Sequence, residues 1–256
     1  MHRSISHLVL LPFLVLCLFL SGCASNANRA PMDTEAIDRM QGFNRAMSSV
    51  NHRLDKWFLK PVAQGYDKAP KPVKNGVGNF FGNLSEVSNV LNDVLQWKWK
   101  QAGNDGSRFL INSTLGLLGL FDIASASGIE KSDGEDFAQT LAVWGVPAGS
   151  YIELPILGPR TLRGLAAWPV SWASDPLTYI EDDGARIGLN FLELVDTRAG
   201  FLELEKLATG KDRYLFIRDA YLQRRDYLIR DGVVDDDFGD EFDDEDFGDD
   251  DLDDLD

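Results

Sequence analysis

The sequence predicts one mostly α-helical domain over residues 34–231, with a single small irregular hairpin and a disordered acidic end. Three observations carry this. Apolar residues recur every three or four positions over most of that span, the period of a helix with one apolar face. Strand-like residues with Gly and Pro punctuation are confined to one stretch, Trp144 to Leu154. Charge is separated: 16 of the 41 acidic residues lie between Asp231 and Asp256 with no Lys or Arg, leaving 25 acidic against 25 basic residues elsewhere. A neutral body with an acidic end lacks the basic face a nucleic-acid binder needs, so no nucleic-acid partner is expected.

Residues 1–22 read as a leader. An apolar run from Leu8 to Leu20 follows Arg3, with His2 and His7 nearby. This is a positive segment, a short apolar segment and small residues at a cut. Thirteen residues fall short of the ~20 a spanning helix needs. Leu20-Ser21-Gly22-Cys23 resembles the bacterial lipobox, in which the cysteine thiol is diacylated and the new amino terminus acylated. Cys23 is therefore the expected lipidation site. Each buried methylene contributes about 0.8 kcal/mol, so two or three chains anchor stably. Ala24 is the sorting position. Aspartate there would resemble an inner-membrane retention signal, and its absence directs the chain to the periplasmic side of the outer membrane.

Cys17 leaves with the leader, so after cleavage Cys23 is the one cysteine and no internal disulfide forms. His52 is the one remaining histidine. A His pair or a His/Cys metal cluster is thereby excluded.

Residues 23–33 are a polar tether. Ile37, Met40, Phe43, Met47, Val50, Leu54 and Trp57 then mark a helix capped by Asp33 or Thr34 and ended by Pro61. His52 lies off that stripe and reads as a solvated surface residue. Pro72 suits the first turn of a second helix carrying Val73, Val77, Phe80, Phe81 and Leu84. Its glycines each cost about 1 kcal/mol, so it requires close packing. A further helix is expected from about Ser85 to Leu95. Trp97-Lys98-Trp99-Lys100 fits a membrane-interface belt or a core Trp beside a solvated Lys.

Phe109-Leu110-Ile111 and Leu115-Gly116-Leu117-Leu118-Gly119-Leu120-Phe121 form the most apolar stretch after the leader. It is too short and too broken to span a bilayer. It reads either as buried core or as a segment lying within one leaflet. In Trp144 to Leu154, Gly145 and Gly149 allow hinge-like dihedrals beside Tyr151, making this a candidate mobile element. Gly158-Pro159 is expected to end that stretch. Thr161 to Trp172 is helical or mixed, with Trp168 and Trp172 as amphipathic anchors, and Ser174-Asp175-Pro176 is a turn. Ala185 to Leu207 returns to helical spacing. Asp212 caps a last helix to Arg230, closed by Gly232, with a mixed-charge face expected to be solvated.

No GxSxG elbow, HExxH, P-loop or CxxC is present. Asp133, Glu135 and Asp136 do not have the spacing of a calcium loop and read as a solvated acidic turn. The sequence therefore argues against an enzyme, and no cofactor or metal is expected.

One resemblance covers roughly Gly42 to Gly232. Gly42-Phe43-Asn44-Arg45, Lys60-Pro61-Val62-Ala63 and Asn75-Gly76-Val77-Gly78-Asn79-Phe80 open an ordered set of blocks. Arg108-Phe109-Leu110-Ile111-Asn112-Ser113, Gly116 to Asp122, Phe137-Ala138-Gln139-Thr140-Leu141, Gly149-Ser150-Tyr151 and Arg218-Asp219-Ala220-Tyr221 continue it. This set, with the lipobox, resembles the MlaA (VacJ) outer-membrane lipoproteins. The resemblance implies a mostly helical ring lying in the inner leaflet of the outer membrane and associated with a trimeric porin. It implies phospholipid cargo withdrawn from the outer leaflet through an amphipathic channel and passed to a soluble periplasmic phospholipid carrier. Under it, Phe109, Leu110, Ile111, Leu115, Leu117, Leu118, Leu120 and Phe121 lie in the leaflet or along the lipid path. A structural lipoprotein without lipid cargo and a periplasmic lipid hydrolase are the competing classes.

The acidic end, residues 232–256, departs from the family pattern. Its carboxylates repel one another and keep it extended. It reads either as a solubilising or ion-buffering tail, or as a docking segment with Phe238, Phe242 and Phe247 as partner contacts.

Overall fold

The computed structural model describes residues 37–207 and 212–233. Cys23, Ala24, Phe238, Phe242 and Phe247 lie outside the described residues. Helix α1 spans Gln41–Leu54 and passes through a π-helical turn, Asp55–Leu59, directly into α2, Lys60–Tyr66. The expectation that Pro61 stops this helix is overturned. The Lys60 amide donates to the Asp55 carbonyl five residues back, so the hydrogen-bond ladder has already stepped before Pro61. Pro61 then occupies the first turn of α2, where a missing N–H costs little.

Helix α3, Lys71–Leu95, is one 25-residue element where two were expected. Its interior glycines do not break it, and neighbours lie at ordinary contact distance from them. A Cβ on Gly76 would meet the Leu120 carbonyl at 3.7 Å, and one on Gly78 would meet Asp196 at 3.5 Å. Pro72 sits in its first turn. Trp97, at φ +65°, turns the chain into α4, Trp99–Thr114, which packs along α3.

Beyond α4 the chain coils tightly through 115–121. Leu117, Leu118 and Gly119 all take positive φ. Gly119 is required there: its φ is +91°, and an added Cβ would lie 2.5 Å from that of Asn83. Asp122 caps the short α5, Ile123–Ala126, by accepting from the Ser125 amide at 3.0 Å. Asp136 caps α6, Phe137–Val143, in the same way through the Gln139 amide at 2.9 Å.

The hairpin lies further along than expected. Strand β1, Tyr151–Leu154, pairs antiparallel with β2, Gly158–Thr161, in the register Tyr151↔Thr161 to Leu154↔Gly158. Gly158-Pro159 is part of the second strand rather than its terminus. Proline is tolerated because a two-stranded sheet consists of edges, where a missing N–H can face outward. Thr161 caps α7, Leu162–Ser174, and Asp175 caps a 3-10 turn, Pro176–Tyr179. Asp182 caps α8, Asp183–Gly200, and α9 spans Leu202–Leu207. Asp212 caps the closing helix α10, Arg213–Ile229, by accepting from the Tyr214 and Leu215 amides.

The partition of residue types runs opposite to that of a protein dissolved in water. The buried residues of α1 are Asn44 and Ser48, while Phe43, Val50 and Leu54 of the predicting stripe are exposed. Every buried residue of α3 except Phe81 is polar or charged. The buried apolar cluster is small: Tyr151, Tyr214 and Leu222, packed by Ile37, Leu215 and Tyr221. Among the described residues no helix is long and apolar enough to cross a membrane.

Candidate functional site

Three features define the site: an apolar exterior, a hydrogen-bonded polar interior and a cavity between helices. The exterior includes Trp57 at 70% exposure and Phe58 in the π-helical turn. It continues through Trp97 and Trp99, through Trp168 and Trp172 on α7, and through Ile187 and Phe191 on α8. An apolar exterior this extensive marks a surface made for lipid or for another protein. Tryptophan favours the boundary between hydrocarbon and water. At 97–100 the arrangement is the reverse of a core Trp beside a solvated Lys. The two Trp rings point out in an edge-to-face pair, while Lys98 turns inward to Glu135 at 2.8 Å and to Asp231.

The predicted apolar stretch divides along the same line. Leu110, Leu115, Leu117, Leu118, Leu120 and Phe121 are exposed, whereas Phe109 and Ile111 are half-buried. Between them, Arg108 and Asn112 face inward and are buried. The stretch therefore forms an apolar lobe held from behind by polar side chains.

Arg108 holds that lobe. Its Nε donates to Glu86 at 3.0 Å and its Nη1 to the Ile129 carbonyl at 2.7 Å and Ser125 at 3.1 Å. Its Nη2 reaches both Asp122 oxygens, and Asn112 donates to Asp122 at 3.1 Å. Burial opposes ionisation of Asp122, but hydrogen bonds from Ser125, Asn112 and Arg108 outweigh it and hold its carboxyl down at about 2. A buried guanidinium is tolerable only when its donors are met in this way.

A second network locks α1, the hairpin and α10 together. Asn44 donates to Asp38 at 2.9 Å and to the Tyr151 carbonyl at 3.2 Å, and accepts from the Glu153 amide at 3.0 Å. Asp38 also accepts from Tyr214 and from Arg218 at 3.0 Å. The α10 face expected to be solvated is thus partly interior: Arg218 is buried, and Arg225 grips Asp136 with both terminal nitrogens. Solvation fails for the same reason at Glu135, which is buried and accepts from Lys98 and Gln96. His52 is half-buried rather than solvated, with no partner for Nδ1 among the described residues. Burial, then the nearby Arg213 charge, pushes its pKa down.

Where these layers meet, a cavity of about 340 Å³ opens between α3, the 133–136 segment, α7 and α8. Phe81, Leu84, Leu177 and Leu228 supply its apolar wall, and serines and carboxylates supply the polar one. Its size falls within the range of small-molecule sites. An amphipathic wall of this kind suits an amphiphile.

The predicted mobile element is split by the structure. Gly145 and Gly149 lie in a coil with φ of +89° and +70°. Tyr151 is fully buried, starts β1 and donates to Glu153 at 2.6 Å, so it belongs to the locked core. Sequence reasoning missed Glu86, Asp93, Asp105 and Glu193. The signal existed on α3: Asn83, Glu86, Asn89, Asn92 or Asp93, and Gln96 repeat at helical spacing, a polar stripe pointing inward.

A fold with an apolar exterior, a polar interior and an amphiphile-sized cavity defines a protein that works at a membrane with lipid. Comparison with known proteins agrees. The family described as MlaA lipoprotein matches residues 36–228. The intermembrane phospholipid transport system lipoprotein MlaA of Escherichia coli is 33% identical over 228 residues, 84% of this chain and 86% of that protein. The Haemophilus influenzae protein of the same name is 32% identical over 238 residues, covering 88% and 92%. A chain solved in work on the structural basis for maintenance of bacterial outer membrane lipid asymmetry superposes with TM-score 0.68 at 31% identity. It covers 75% of this chain and 98% of the solved one. The chain belongs to the MlaA lipoprotein family.

Proposed function

We propose that this chain withdraws misplaced phospholipid from the outer leaflet of the outer membrane and hands it to a soluble periplasmic carrier, maintaining lipid asymmetry. The observation that carries the reading is the inverted partition: exposed Leu115, Leu117, Leu118 and Phe121 outside, buried Arg108, Glu86 and Asn112 behind them. Phospholipid transport and outer-membrane lipid asymmetry are what its relatives and solved neighbour are described by, which supports the assignment. In this reading the apolar lobe inserts into one leaflet, which its short, broken run of exposed leucines suits. Cys23 carries the acyl anchor on the periplasmic side, and Ala24 permits outer-membrane sorting. The ring of the family and its trimeric porin partner belong to this reading. Moving a lipid from one site to another breaks no covalent bond, so in this reading the protein acts without enzymatic chemistry.

The test combines purification and loss of function. Full-length lipidated protein, isolated in mild detergent, should carry extractable phospholipid and a co-purifying porin. Deletion of the gene should place phospholipid in the outer leaflet and raise detergent sensitivity. Cys23→Ser should abolish processing and membrane retention. Unchanged asymmetry in the deletion strain would favour a scaffold, and release of fatty acid from labelled vesicles by the purified protein would favour a hydrolase. Either result overturns the proposal.

A further inference from the structure

Charge in the cavity is not balanced. Five carboxylates line it, from Asp133, Glu135, Asp136, Asp175 and Glu193, and among the described residues no Lys or Arg does. Three of the five have cationic partners: Glu135 with Lys98 at 2.8 Å, Asp136 with Arg225 at 2.5 Å, and, at the exposed surface, Asp133 with Arg224 at 3.8 Å. The other two have no ion-pair partner among the described residues. Asp175 accepts from the Leu177 amide at 2.9 Å. Glu193 on α8 has no hydrogen-bond or ion-pair partner among the described residues. Burial, then repulsion from Asp175 and Asp196, pushes its pKa up.

Two unneutralised carboxylates beside a cavity repel an anion and attract a cation. An independent feature agrees. Gln139 lines the same cavity at 2% exposure, its Nε2 donates to the Gly134 carbonyl, and its Oε1 has no partner among the described residues. Ser85, Ser88 and Ser171 add hydroxyls that accept as readily as they donate. The wall thus offers acceptors in excess, with the apolar side chains of Phe81, Leu84, Leu177 and Leu228 on its other part. A group matching this pattern carries several N–H donors and a positive charge on an amphiphile.

We propose that the cavity receives the primary ammonium of a zwitterionic phospholipid headgroup, an aminoethyl phosphate ester, with Glu193 and Asp175 as its acceptors, and discriminates against headgroups of net negative charge. The inference rests on the phospholipid reading above and names the class of cargo within it. A phosphate alone would find no cation on the wall. The ammonium of the same headgroup satisfies Glu193 and brings its phosphate in as an internally compensated group. Charge of this kind at about 5–6 Å, at an effective dielectric between protein surface and water, corresponds to a three- to tenfold preference.

The experiment uses the full lipidated chain in mild detergent, equilibrated with vesicles of equimolar phosphatidylethanolamine and phosphatidylglycerol. Lipid bound to the re-isolated protein is quantified by mass spectrometry. The wild type should enrich the ethanolamine lipid about three- to tenfold over the input ratio. Glu193→Gln with Asp175→Asn should return the bound ratio close to input. Both changes are isosteric, and Asn retains the oxygen that accepts from Leu177, so a thermal melt at or above that of the wild type verifies folding. Wild-type protein carrying both lipids at the input ratio, or enrichment that persists in the double variant, overturns the headgroup assignment and leaves the transport reading standing. Wild-type protein that binds neither lipid overturns both.

Discussion

Asp93 gives the most exacting test of the polar interior. It is fully buried on α3, and neither carboxylate oxygen has a partner among the described residues. The charged groups around it are Asp105 from α4, Glu135 from the segment before α6, Lys98 from the α3–α4 turn, and Asp231 from the end of α10. Burial first, then repulsion from Asp105 and Glu135, pushes its carboxyl up to about 7 against the pull of Lys98. An unfolded chain ionises near 3.9. The native state therefore holds the proton more tightly, and stability is full below about pH 4 and declines as pH rises towards 7. Three pKa units correspond to about 4 kcal/mol once Asp93 is ionised. Asp93→Asn has nearly the same shape and no charge to bury. At pH 8 it should melt higher than the wild type by on the order of 8–16 °C, at about 2–4 °C per kcal/mol for a domain of this size. At pH 4 the gap should shrink to about 2 °C or less. The assay is differential scanning fluorimetry of the two proteins in the same detergent across that range. A gap that does not change with pH, or an Asn variant that melts lower at pH 8, would falsify the account of Asp93.

Arg108→Ala should cost about 3–5 kcal/mol by stranding Glu86 and Asp122, and a thermal melt within about 2 °C of wild type would show that the network does not hold the lobe. Gly119→Ala should cost about 2–4 kcal/mol, combining positive-φ strain with the clash against Asn83, whereas Gly145→Ala, with open space around it, should cost about 1–2 kcal/mol. Equal melting of these two glycine variants would remove the close approach as a cause. Leu117→Asp with Leu118→Asp should reduce vesicle flotation of the protein while leaving its melt in detergent within about 2 °C of wild type, because both side chains are exposed. Undiminished flotation would place the lobe outside the membrane.

Local signals were the most legible part of the fold. Pro72 at the start of α3 and Asp212 at the start of α10 were recognisable because each acts on its own backbone neighbours. The continuity of α1 through Pro61 was not, since it depends on a π-helical turn whose Asp55 is gripped by Arg198 at 2.7 and 2.9 Å, 143 residues away. Nor was the continuity of α3 past Ser85, where a second helix was expected to begin. Helical period located the stripes but carries no sign. Phe43, Val50 and Leu54 announce a helix equally well whether they face a core or a lipid tail. Only the matching polar stripe on α3 indicated which side was inside. In the candidate site, the exposed leucines of 115–120 were found because they are conspicuous, while Glu193 was not, being one carboxylate in a helix of mixed composition.

The inverted partition also sets which substitutions the chain can absorb over evolutionary time. At Leu115 the requirement is only for an oily side chain of no fixed shape, whereas at Leu117 and Leu118 the positive φ also disfavours the β-branched Ile and Val. At Arg108, Asn112 or Asn44 the requirement is for a particular fork of donors and acceptors at fixed distances, and the nearest chemical relatives do not reproduce it. On this physical ground an exposed apolar position such as Leu115 should tolerate exchange with less loss of stability than a buried polar position such as Arg108 or Asn44.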